Sequence, residues 1–297
     1  MMVSPSSQGA STYAIALIIM TGCLLSGMDG MGKYLAMGAP VLMVIWGRYF
    51  FHTAITFIVY AGRTRSFKFL KSQKPGLQFL RASSLFIATS MFYFALTMMP
   101  LGDAAAIQFL APVLVTAFSG LFLGEEVGLR RWGAVVCGFI GVLLVARPGS
   151  GVLGFVALLP LGTAVFLAAY MMLTRSIRDQ DSPAATTFYS TAVGALALSV
   201  IVPFHWQPLS THEWGVMVTM GASGALGHFF LVKAFHAAEA SMLAPFTYAQ
   251  VVAAIIWGMI LFGDIPSFWT LAGASLVVGS GVYVWYRERA LRLRKAD

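Results

Sequence analysis

The side chains best able to bind a solute or hold a proton lie inside long apolar runs, where each needs a polar partner or a ligand. Asp29 and Lys33 stand four residues apart, so on a helix they share a face and each charge partly offsets the other. Lys33 reads as the interfacial member of that pair, its ammonium reaching for lipid headgroups. Asp29 reads equally as its partner or as a cavity carboxylate that titrates or meets a substrate ammonium. Arg48, partway into the next run, must face protein or water; it either binds a substrate carboxylate or braces a gate. Gln108 and Gln250 need hydrogen-bond partners, from a neighbouring helix or from the amino and carboxylate groups of a substrate. His228, among Gly224, Gly227 and Phe229, is either a satisfied core residue or a cavity group able to carry a coupling proton, its ordinary pKa being about 6.5. Tyr93, Phe109 and Tyr248 also lie inside runs, and the two tyrosine hydroxyls suit an aromatic cavity with a polar rim.

Other chemistries are excluded. Gly27-Met-Asp-Gly-Met-Gly32-Lys33 has most of a phosphate-binding loop, but Tyr34 stands where Ser or Thr belongs and no strand precedes it. The histidines His52, His205, His212, His228 and His236 are scattered, with no HExxH motif and no nucleophile beside a base. No catalytic residue, metal or cofactor is expected, and the protein is not read as an enzyme. Cys23 and Cys137 read as small core residues, not as a disulfide or zinc site.

The elements that position these residues follow from composition. Of 297 residues, 59% are hydrophobic and 10% charged, with a mean hydropathy of +0.81, against about 45–50% and about 25% for a soluble domain. Too few charges remain to coat a soluble body, so the chain is an integral membrane protein, all-α, with the lipid bilayer as its surroundings. A spanning helix needs about 20 apolar residues. Ten runs qualify: 12–32, 40–60, 78–99, 101–123, 131–147, 152–174, 184–203, 214–235, 241–262 and 267–286. Pro40, Pro100 and Pro183 punctuate them.

The net charge of +8 would suggest nucleic acid in a soluble protein. Here the positives sit in alternate loops: Arg63 to Lys74 with Arg81, Arg130-Arg131, Arg175 and Arg178, Lys233, and the tail Arg287 to Lys295 on one side, against Lys33 and Arg147 on the other. The positive-inside rule then puts both termini in the cytoplasm, and no nucleic-acid partner is expected. The first run lacks a basic segment before it, so no cleaved signal is expected.

The chain also aligns with itself. One ungapped offset carries Ala95 onto Ala234, Phe109 onto Tyr248 and Gly124-Glu125 onto Gly263-Asp264; after one inserted residue Gly141 meets Gly281. The division is five runs and five, residues 1–148 and 149–297, and an odd number of spans per copy inverts one copy relative to the other. Inverted repeats around a central cavity are a recurrent plan for secondary transporters.

Trp46-Gly-Arg48-Tyr-Phe in the second run, Tyr93-Phe-Ala-Leu closing the third, Pro112 within the fourth, Leu-Gly124-Glu125 at its end, and Gly133, Gly138 and Gly141 in the fifth resemble the drug/metabolite transporter superfamily in its ten-helix EamA-type branch. Among its members the chain looks most similar to YddG-type bacterial exporters of aromatic and other neutral amino acids. The second copy departs from the pattern, with Val251 in place of the proline and Asp264 in place of the glutamate. The resemblance implies a bacterial inner-membrane transporter, monomer or homodimer, exporting neutral amino acids by alternating access. Its cavity would be walled by spans 1, 3, 4, 6, 8 and 9. Asp29, Tyr93, Gln108, Phe109, His228, Tyr248 and Gln250 are the expected substrate contacts; Lys33, Trp46, Arg48, Pro112 and Glu125 are expected in gating or structure. Other metabolites or drugs (nucleosides, nucleotide sugars, cations) are the alternative, although sugar phosphates would want more deep Lys or Arg than Arg48 alone.

Overall fold

Proline and polar punctuation cut the apolar runs into helices that can be followed one by one. The computed structural model describes residues 5–64, 70–122, 128–147, 153–177, 180–238 and 240–296. Its helices are α1 (Pro5–Ala36), α2 (Val41–Thr64), α3 (Pro75–Leu96), α4 (Leu101–Gln108), α5 (Ala111–Phe122), α6 (Leu129–Ala146), α7 (Leu153–Val156), α8 (Leu158–Ile177), α9 (Pro183–Ile201), α10 (Thr211–Ala237), α11 (Ala240–Leu243), α12 (Ala249–Phe262) and α13 (Phe268–Ala296). Among the described residues there is no strand, and ten helical stretches are long and apolar enough to cross a membrane. Their flanks show the expected start and stop signals. Ser182 caps α9 through the Ala185 N–H with Pro183 in the first turn, and Ser210 and Glu213 form a capping box on α10. Gly263, at a φ of 68°, ends α12 in the left-handed region that favours glycine.

The spans agree with the expected ones to within a few residues, with three differences. The helix α1 begins at Pro5, ahead of the expected start. The last helix runs on to Ala296, so the basic tail continues it. The fourth and ninth runs are also interrupted. A turn at Phe109-Leu110 separates α4 from α5, and a 3-10 segment, Ala244–Tyr248, precedes α12. Pro112 and Pro245 explain both breaks, since each lacks an N–H and its ring clashes with the carbonyl four residues back. Gln108 and Gln250 therefore flank irregular backbone at membrane depth, which is tolerated only inside protein or along a cavity.

The most extensive helix contacts follow one pattern. The helix α1 lies along α10 as α3 lies along α8, α1 meets α12 as α5 meets α8, and α2 meets α10 as α3 meets α9. Then α2 meets α9, α4 meets α12 and α6 meets α13. Exchanging the first five spans with the last five reproduces the whole set. Small residues permit the closest approaches: at the α6–α13 crossing a Cβ on Gly141 would meet the Gly273 carbonyl, and a Cβ on Gly273 would meet that of Gly141. The glycines of the phosphate-loop lookalike serve the same purpose, Gly27 and Gly30 lying against Trp257 and Leu261, and Gly32 against the Tyr93 ring. Outward, Leu196, Val200 and Ile260 are about 70% exposed, a surface suited to lipid.

Candidate functional site

A buried charge pair lies at the centre of the contacts among α1, α2 and α3. Asp29 on α1 is 6% exposed, and its Oδ1 stands 3.8 Å from Arg48 Nη1 on α2. The Arg48 guanidinium lies 5.2 Å from the Tyr93 ring centre and 5.8 Å from that of Tyr49. The Tyr49 hydroxyl donates to Thr89 Oγ1 at 2.8 Å, fixing this wall to α3. At 3.8 Å the pair is an ion pair without a hydrogen bond, and Asp29 Oδ1 is buried with no hydrogen-bond partner. Asp29 Oδ1 thus keeps a hydrogen-bonding capacity that this pair does not use.

This arrangement corrects the expected Asp29–Lys33 pair. Lys33 is 8% exposed and does not reach for headgroups; its Nζ donates at 3.1 Å both to Asp264 Oδ2, in the turn after α12, and to the Met99 carbonyl, after α3. The Phe262 ring lies 4.7 Å from the same ammonium. Beside it, Thr270 on α13 donates to Asp103 Oδ1 on α4 at 2.7 Å. Both ties join the first five spans to the last five, at the end of the bundle opposite the chain termini. Asp103, Asp264, Thr270 and Arg147 line a small open pocket there.

His228 is half-buried on α10, its Nδ1 3.0 Å from the Gly224 carbonyl. Its ring lies 4.9 Å from that of His52 on α2. His52 was absent from the expected site. It is 3% exposed, and its Nε2 is buried without a hydrogen-bond partner. Gly224 leaves the space: a Cβ there would meet His52 Nδ1 and Met28 Sδ, each at 2.9 Å.

Phe109, in the break between α4 and α5, packs its ring 5.7 Å from that of Tyr248, which ends the 3-10 segment before α12. The Tyr248 hydroxyl is buried and unpartnered, lodged where Gly281 has no side chain. Gln108 is 9% exposed, and among the described residues its amide makes no hydrogen bond. The Gln250 amide makes none either, whereas its backbone carbonyl accepts from Ser26 Oγ at 2.9 Å and its Cα lies against Gly22. The Trp46 Nε1 donates to Ser199 Oγ on α9 at 2.9 Å, and its ring stacks on Phe50 at 4.9 Å. Pro112 sits in the first turn of α5. Glu125 lies outside the described residues. Cys23 is exposed, not a core residue as expected; Cys137 is half-buried.

A second polar cluster closes the terminal end. Arg81, counted from sequence among the loop charges, is fully buried. It donates to Gln78 Oε1 at 3.1 Å, to Ser190 Oγ at 2.9 Å and to the Thr186 carbonyl. Asp181 accepts from Ser72 Oγ, from the Gln73 N–H at 2.6 Å and from Gln78 Nε2 at 2.7 Å. Burial raises its pKa, but these donors and the Arg81 charge outweigh that and hold the carboxyl below its ordinary value. The signal for Arg81 lay in its position inside the third apolar run.

Sequence comparison matches the chain twice, over residues 12–147 and again over 154–286, to the EamA-like transporter family. The chain belongs to that family. It is similar to an S-adenosylmethionine uptake transporter of Rickettsia conorii, 28% identical over 92% of both chains. It also resembles a riboflavin transporter of Vibrio cholerae, 29% identical over 76% of this chain and 77% of that one, and a pseudopaline exporter of Pseudomonas aeruginosa, 26% identical over 89% and 93%. A solved crystal structure superposes with a TM-score of 0.65 over 91% of this chain and 96% of that one at 17% identity, a likeness of fold. The EamA protein is thus a multi-pass membrane transporter. None of these relatives is named as an amino-acid exporter, so the likeness to YddG-type exporters and the amino-acid export expected from sequence are not shown.

Proposed function

We propose that this EamA protein carries a small metabolite with an α-amino-acid group across a bacterial inner membrane by alternating access, and does no covalent chemistry. Its halves, 1–148 and 149–297, rock as inverted repeats, with both termini in the cytoplasm. The observation that supports this most is the buried Asp29–Arg48 pair. A zwitterion's ammonium and carboxylate can exchange with those two charges without leaving either unpaired, which keeps the desolvation cost low. Gln108 and Gln250 supply free amides, and Phe109, Tyr93 and Tyr248 supply aromatic walls for an apolar side chain. Neutral amino acids, the aromatic ones first, fit that chemistry, and the flux is outward wherever the inside concentration is higher.

A second reading is favoured by the likeness to S-adenosylmethionine uptake transporters over nearly the whole chain. It keeps the same amino-acid group and adds a nucleoside, which would stack against Phe109 and Tyr248. Counterflow into liposomes loaded in turn with phenylalanine, methionine, S-adenosylmethionine and riboflavin separates the readings. Saturable exchange of an amino acid or of S-adenosylmethionine, lost in Gln108→Ala, is the expected result. Exchange of riboflavin alone, or of none of the four by folded protein, would overturn the amino-acid assignment.

A further inference from the structure

Several buried side-chain polar atoms lack a hydrogen-bond partner among the described residues, and the substrate contacts proposed above do not account for His52 Nε2. His52 Nε2 and Asp29 Oδ1 are both buried without a hydrogen-bond partner, and an orphaned buried polar group costs about 1–3 kcal/mol. A fold that keeps such an atom in a packed interior reserves it for something that binds there. The His52 ring lies 4.9 Å from the His228 ring, and His228 Nδ1 is 3.0 Å from the Gly224 carbonyl. That carbonyl can only accept, so His228 Nδ1 carries its hydrogen and Nε2 is the free basic nitrogen. The two imidazoles sit on α2 and α10, one from each half of the chain.

We infer that His52 and His228 form a one-proton site, in which His52 Nε2 takes up the coupling proton while the pair holds at most one extra positive charge. This rests on the carrier reading. Two imidazolium rings at this separation repel, and the Arg48 guanidinium on the same helix adds to that repulsion, so a second proton is excluded. The charged and titratable groups of the neighbouring helices gather around Arg48, one helical turn before His52. From α1 comes Asp29, already offset by Arg48; from α2, Arg48 and Tyr49; from α3, Tyr93, whose ring lies against Arg48. From α10 comes His228 itself, Lys233 being held over the Phe229 ring. The one titratable residue of α9, Tyr189, is occupied donating to the Leu70 carbonyl. The balance is simple: neutral His52 gains one proton at Nε2 from the aqueous side to which the site opens, and returns it to the other side after the halves have rocked. A substrate arriving at Asp29 and Arg48 alters the charge beside the site, so loading of one is felt by the other.

The test splits coupling from transport. In proteoliposomes, His52→Gln keeps a hydrogen-bonding amide near the Nε2 position but cannot titrate. Wild-type protein is expected to accumulate substrate against its gradient when a pH difference is imposed, by at least severalfold. His52→Gln is expected to lose that accumulation and to keep counterflow at equal pH within about twofold. Loss of both activities in folded protein assigns His52 a structural role and overturns the inference, as does accumulation that survives the substitution or wild-type flux that ignores the pH difference. A substrate-free measurement separates failure of this inference from failure of the carrier reading. The protein's five histidines are labelled with 15N and titrated by NMR in nanodiscs. Two of them are expected to titrate as a coupled pair taking one proton between them, with the coupling abolished in His52→Gln. Five independent titrations overturn the site whatever the substrate, and they do so on the wild-type chain even where the variant fails to fold.

Discussion

Phe109 and Tyr248, equivalent positions of the two halves, meet each other ring to ring at 5.7 Å. Residues related by a two-fold axis can touch only where they lie beside that axis, so this contact lies beside the axis that relates the two halves. The contact depends on Gly281, because a Cβ there would overlap the Tyr248 hydroxyl. Gly281→Ala is expected to destabilise the folded protein by about 1–3 kcal/mol, the usual cost of overpacking, and to lower its melting temperature in detergent. With the ring gone the three atoms nearest the added methyl are gone too, so Tyr248→Ala/Gly281→Ala is expected to melt close to Tyr248→Ala alone. Additive losses would show that the methyl added at Gly281 clashes with something other than Tyr248.

The Asp29–Arg48 pair makes an asymmetric demand on mutation. Arg48→Gln leaves a carboxylate buried without its counter-charge, a loss of roughly 3–5 kcal/mol for buried pairs. Asp29→Asn/Arg48→Gln removes both charges together and is expected to recover most of that stability while abolishing substrate exchange. The fraction of monodisperse protein after heating reads stability, and counterflow reads transport. A double variant no more stable than Arg48→Gln would show that other groups satisfy Asp29.

The ten spans were legible because a membrane span is a local matter of about 20 apolar residues, and the repeat pointed to Phe109 and Tyr248. Ion pairing was not legible. Spacing along one helix assigned Lys33 to Asp29, whereas Asp264 and the Met99 carbonyl arrive from turns that only the packing brings near. Arg48 looked almost alone for the same reason, its partner lying on another helix. His52 carried no signal at all, since its relation to His228 exists only where α2 crosses α10. Arg81 was taken for a loop charge although it stands within an apolar run; Ser190 and the Thr186 carbonyl on α9 are what admit it to the interior. The breaks beside Gln108 and Gln250 had a visible cause in Pro112 and Pro245, but a proline alone does not say whether a helix kinks or stops.

The Lys33 ammonium ties three elements together at the end opposite the termini, and a latch role there can be tested. Lys33→Met is expected to open the face more often. A partly exposed pair contributing about 1 kcal/mol corresponds to roughly a fivefold rise in the open population. Ser267, which lines the pocket at this end, reports it once changed to cysteine in a chain whose Cys23 and Cys137 are replaced by serine. If the termini are cytoplasmic, as proposed, membrane-impermeant thiol reagent added outside should label it about fivefold faster in the Lys33→Met background. The exchange Lys33→Asp/Asp264→Lys should bring the rate back towards that of the original pair. Unchanged labelling in Lys33→Met would mean that Asp103 and Thr270 alone keep this face shut.

At the terminal end, pH should act through Asp181. Its folded-state pKa is held below the ordinary value of 3.8 by Ser72, Gln73, Gln78 and Arg81. A carboxylate whose pKa is lowered by folding stabilises the fold fully above its unfolded pKa, and that contribution is lost as pH falls through the folded value. Thermal stability in detergent is therefore expected to be insensitive to Asp181 protonation at neutral pH and to decline below about pH 4. Asp181→Asn removes the titrating group, so this variant should start less stable at neutral pH and converge on the wild type as the medium becomes acidic. The convergence is the decisive feature. A constant gap between the two chains from neutral pH down to about pH 3 would mean that Asp181 matters for its shape and hydrogen bonds and not for its charge.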